Sequence, residues 1–176
     1  MLKKIAALAL LLACPLAASA EDSLVKFKGG IGVIPVSNVA GAVDAAGTFP
    51  NVTRNVVRLV NPAGQIWVIA DLRAEVKADG SIKVRGKGLL LGGGNGIGGN
   101  ANASVFATLI CEAAPGPFTQ RNTTLTGVPL EANGDFRIDD VLTPAPLDCA
   151  SPVLLIRNAA NLGWFAAGIP NLGNDD

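Results

Sequence analysis

The stretch Leu72-Arg73-Ala74-Glu75-Val76-Lys77-Ala78-Asp79-Gly80-Ser81-Ile82-Lys83-Val84-Arg85-Gly86-Lys87 decides the fold. Apolar and charged residues alternate on both sides of Ala78-Asp79-Gly80, and a period of two marks strands buried on one face. The centre fits a type I turn followed by a Gly in the left-handed region, which closes a three-residue hairpin loop. That loop sets Lys77 opposite Ser81 and pairs Val76 with Ile82, Ala74 with Val84 and Glu75 with Lys83. A two-residue loop would set Val76 against Lys83, because a one-step slip turns every side chain to the wrong face. The reading is an antiparallel hairpin with one apolar and one charged face.

Two other segments share the layout: Asn61-Pro62-Ala63-Gly64-Gln65 and Glu131-Ala132-Asn133-Gly134-Asp135. The latter predicts pairing of Leu130 with Phe136 and of Val128 with Ile138. The former predicts a hairpin of runs 56–61 and 65–70, apolar on both faces, as for a buried or assembly-facing pair, with Trp67 in the core. Further strands are predicted over 24–28, 31–36, 72–78, 81–91, 104–111, 123–130, 135–141, 152–157 and 163–167, each rich in Val, Ile, Leu or Thr and bounded by Gly, Pro or Asn. No helical apolar period persists beyond two turns after residue 20. Many short strands of this kind predict an all-β chain, an antiparallel β-sandwich of immunoglobulin-like general shape. The ends, 21–23 and 170–176, are expected to be loose.

Residues 1–20 read as a secretory signal: Lys3 and Lys4, an apolar run from Ile5 to Ala13, then Ala18-Ser19-Ala20. The run is about nine residues, short of the roughly 20 that a spanning helix needs, and no later stretch reaches that length. A rival reading takes Leu11-Leu12-Ala13-Cys14 as a lipobox, with Cys14 lipidated and anchoring the chain. Cleavage after Ala20 leaves residues 21–176 as one expected domain. It also leaves Cys111 and Cys149 as an even pair in an oxidising compartment, so a disulfide is expected. Closing the loop between them is worth about 4 kcal/mol by chain entropy. The location expected is secreted or periplasmic, with the Cys14 lipoprotein as the alternative.

Composition narrows function by exclusion. Charged residues are 16%, Lys+Arg and Asp+Glu both number 14, and there is no His. Without His there is no Ser-His-Asp triad and no imidazole-bound zinc. Without a basic excess, electrostatic nucleic-acid binding is not expected. Gly94, Gly96 and Gly99 form a GxGxxG in the run 92–99, but a strand-like segment follows where a dinucleotide site needs a helix. A mobile loop between strands is the plainer reading. No carboxylate lies between Asp79 and Glu112, so a calcium site lacks ligands. A Ser-Lys pair at Ser81 and Lys83 would sit on an open face, with nothing to lower the amine pKa. Asp139 and Asp140 are adjacent on a strand and point to opposite faces. No catalytic residue, metal or cofactor is therefore assigned.

The central hairpin, 72–89, carries Arg73, Glu75, Lys77, Lys83, Arg85 and Lys87 on one face. Arg73, Lys83, Arg85 and Lys87 are the candidate ligand-binding residues, for a phosphate, a sulfated glycan or an acidic headgroup. The plain alternative is a solvated outer sheet face. The leading expectation is an exported, non-catalytic binding or assembly module, a homo-oligomer or cell-envelope component with no transmembrane segment. An anionic-ligand or glycan binder and a secreted enzyme with a His-free mechanism are the other readings.

The segments Phe27-Lys28-Gly29-Gly30-Ile31-Gly32-Val33, Val60-Asn61-Pro62-Ala63-Gly64-Gln65-Ile66-Trp67, Val84-Arg85-Gly86-Lys87-Gly88-Leu89-Leu90-Leu91 and Gly163-Trp164-Phe165-Ala166 resemble a group of small exported bacterial proteins with no assigned function. The resemblance covers nearly all of 21–176. It implies export and a single domain, and it carries no active site.

Overall fold

The computed structural model describes residues 23–48, 51–112 and 118–171. The expected signal over 1–20, the Cys14 anchor and most of the expected loose ends lie outside them. In chain order the strands are β1 (Ser23–Gly32), β2 (Val36–Ala40), β3 (Asn51–Arg54), β4 (Trp67–Val68), β5 (Asp71–Lys77), β6 (Ser81–Lys87), β7 (Leu90–Leu91), β8 (Ser104–Glu112), β9 (Thr119–Asn122), β10 (Val128–Pro129), β11 (Phe136–Val141), β12 (Ala150–Asn158) and β13 (Trp164–Asn171). Among the described residues there is no helix.

The main sheet runs β10-β8-β12-β13-β1-β5-β6-β11, antiparallel throughout, with β9 also on β8. It curls until its ends nearly meet. Asn122 and Thr143 close part of the gap through a backbone pair, with N–H···O distances of 3.3 and 2.9 Å. The result is one nearly closed, barrel-like sheet, compatible with a sandwich-like fold. Phe27, Val76, Val84, Ile138, Leu109 and Leu154 belong to one buried cluster. The all-β antiparallel class and the single bridge thus stand as expected. Cys111, near the end of β8, is bonded to Cys149, just before β12, with Cα atoms 5.0 Å apart. Ser23 and Pro170–Asn171, expected to be loose, are paired in strands: Ser23 with Lys77, Pro170 with Phe27 and Asn171 with Lys26.

The β5–β6 hairpin has the register read from the side chains: Val76 faces Ile82, Ala74 faces Val84 and Glu75 faces Lys83. Gly80 closes the turn at φ +94° and donates its N–H to Lys77 O at 3.0 Å. At the second such turn Gly134 adopts φ +81°, and Glu131 N–H reaches Asp135 O at 2.9 Å. The predicted ladder beyond that turn does not form. Instead β11 pairs with β6 along its whole length, and the 123–130 strand shrinks to β10, which pairs with β8. Gly86 makes the β6–β11 contact, because the Phe136 ring occupies the space a Cβ would fill.

The hairpin predicted over 56–61 and 65–70 is absent. The Ala63 N–H bonds Trp164 O at 3.0 Å and the Trp67 N–H bonds Val33 O at 3.1 Å, so the backbone is engaged by distant strands. Trp67 is buried, as expected, and stacks on Phe165 with ring centroids 3.8 Å apart. Burial of two large rings outweighs a local turn preference. Strands β2, β3 and β9 had no counterpart in the sequence reading.

Candidate functional site

The charged face is built from β1, β5, β6 and β11. β5, β6 and β11 alternate, and on β1 Phe27 is buried between Lys26 and Lys28, so these outward side chains stand in cross-strand rows. One row is Lys28, Arg73, Arg85 and Arg137, each the direct neighbour of the next. The adjacent row is Lys26, Glu75, Lys83 and Asp139, with alternating sign. A third pairs Asp71 with Lys87. A shallow depression of about 400 Å³ lies over Phe27, Lys28, Arg73, Glu75 and Arg85.

The four candidate residues therefore share a face but not a role. Arg73 and Arg85 are direct neighbours. Lys83 stands between two carboxylates and Lys87 beside one. Lys28 and Arg137 complete the row and were not among the candidates. Alternation within 24–28 would place Lys28 outward, but no local signal announces that β1 pairs with β5. Arg73 Nε lies 3.3 Å from Asp71 Oδ2, and Arg137 Nη2 lies 3.8 Å from Asp139 Oδ2. Both pairs are exposed and contribute little to stability.

The catalytic candidates are occupied locally. Ser81 Oγ donates to the Asp79 carboxylate at 2.6 and 2.7 Å, within the turn. Asp139 points outward while Asp140 is drawn toward the sheet closure, accepting the Thr124 N–H at 2.8 Å and the Val141 N–H at 2.7 Å. Burial pushes the Asp140 carboxyl pKa up, and the Thr124 and Val141 N–H groups and the Thr124 hydroxyl more than offset this, so it lies below its ordinary value. The 92–99 run starts no helix. It folds back as a turn, with Gly98 N–H on Leu91 O and Leu91 N–H on Gly99 O, both at 2.9 Å.

A second surface is apolar. Strands β2 and β3 pair only with each other and form an arm whose residues are nearly all exposed, with Val39 directly opposite Val52. At its base Ile34, Pro35, Val36 and Ile66 line a depression of about 430 Å³ with Gly93 and Gly94. Val56, Leu59, Ile66 and Val68, predicted to be buried or assembly-facing, are exposed. Among the described residues no helix is long and apolar enough to cross a membrane. No family model matches this chain, and neither a curated protein nor a solved structure matches it.

Proposed function

We propose that the chain is an exported, non-catalytic protein of the bacterial envelope or extracellular space that works as a binding or assembly module. The disulfide fits an oxidising compartment, and the leader and the resemblance to small exported proteins point the same way. The observation that carries assembly is the β2–β3 arm. A two-stranded hairpin alone in water is marginal at best, and this one sets Val39 and Val52 in the open beside an apolar depression. A second copy of the chain is the occupant proposed. Light scattering after size exclusion tests this. The secreted chain should associate with rising concentration, and Val39→Asp with Val52→Asp should return it to a monomer. A strict monomer at high concentration would reject assembly. Mass of the mature N-terminus separates cleavage after Ala20 from lipidation at Cys14.

The charged face supports a second reading, binding of an anionic ligand or glycan. The observation favouring it is the unbroken row of Lys28, Arg73, Arg85 and Arg137.

A further inference from the structure

We infer that this row is a track for one linear anionic glycan, sulfated or carboxylated, lying across the strands from β1 to β11; the inference rests on the anion-binding reading. Like charges placed directly opposite one another destabilise a sheet. The fold does not require them here, because the neighbouring row of Lys26, Glu75, Lys83 and Asp139 alternates in sign on the same four strands. Among the described residues Lys28 and Arg85 have no ion pair or side-chain hydrogen bond. Strand spacing puts the four positions on a line of about 14 Å. A single phosphate or sulfate reaches only part of it, whereas a chain with recurring anionic groups meets all four cations. Three of the four are Arg, whose planar fork suits carboxylate and sulfate oxygens.

The second row narrows the polymer. Glu75 and Asp139 accept hydrogen bonds and repel anions. They suit a chain that carries hydroxyl donors beside its anionic groups, and they oppose polyphosphate. The row presents no aromatic side chain on which bases could stack.

Titration calorimetry with sulfated oligosaccharides of graded length, on the full secreted chain, tests the inference. The octasaccharide should bind at least tenfold more tightly than the disaccharide. Arg85→Gln, between two other Arg residues, should weaken octasaccharide binding tenfold or more with an unchanged or higher melting temperature. Arg54→Gln, on the β2–β3 arm and outside the charged face, should change affinity less than threefold. Equal affinity for disaccharide and octasaccharide would overturn the track and leave an anion site standing. No binding of any anion would overturn both. Tighter binding of polyphosphate or single-stranded DNA than of the glycan would overturn the glycan class. Unchanged affinity in Arg85→Gln would return the row to an ordinary solvated face.

Discussion

Asp140 Oδ2 accepts the backbone N–H of Thr124 at 2.8 Å, across the seam where the curled sheet approaches itself. Beside it, Asn122 and Thr143 exchange backbone hydrogen bonds. The carboxylate stands where a continuous ladder would otherwise supply an acceptor, so one side chain helps to join β11 to the segment after β9.

Asp140→Ala should lower stability by about 1.5 kcal/mol, the low end for a hydrogen bond to a charged acceptor, because the carboxylate is only partly buried. The folded carboxyl has a depressed pKa. Its contribution is therefore complete above the unfolded value, near 4, and is lost as pH falls through the folded value. Urea midpoints measured between pH 7 and pH 2 should fall more steeply at the acid end for the parent than for Asp140→Asn.

Gly86 and Phe136 form a matched pair. A Cβ at residue 86 would run into the Phe136 ring. Gly86→Ala should cost about 1–3 kcal/mol through overpacking. Adding Phe136→Leu should recover part of that loss in thermal unfolding, because the ring is the obstacle.

Arg157 is a buried cation held by neutral acceptors. Its Nε donates to Leu162 O at 2.8 Å, and its Nη1 reaches Thr108 Oγ1 and Gln120 Oε1, both at 3.3 Å. Burial lowers its pKa. Lys cannot reproduce that fork. Arg157→Lys should destabilise by about 2 kcal/mol in denaturant titration, with unpaired acceptors accounting for most of it.

The Cys111–Cys149 bridge ties the ends of neighbouring strands across a separation of 38 residues. Replacing both with Ser should cost about 2–4 kcal/mol. Reduction of the parent should move its denaturation midpoint to that of the double variant.

The β5–β6 hairpin was legible residue by residue, because alternation, turn chemistry and opposite charges all selected one register. The turn at Gly134 was legible for the same local reason, yet its strands went elsewhere. Phe136 finds a Gly-sized gap on β6, and Val128 finds the open edge of β8. Similar turn chemistry at Gly64 was overridden when Trp67 packed on Phe165. Of the candidate binding row, Arg73 and Arg85 followed from the hairpin. Lys28 and Arg137 did not, since they enter by pairings between segments remote in the chain.

The sequence by itself pointed to the all-β class, the Cys111–Cys149 link and the two faces of the central hairpin, because each depends on residues a few positions apart or, with Cys14 set aside in the expected signal segment, on one remaining partner. Only the tertiary structure decided which strands became neighbours, and with that the line of four cations. Strand pairing is a competition among distant edges, settled by which large side chains can be buried together, and no local pattern encodes its winner.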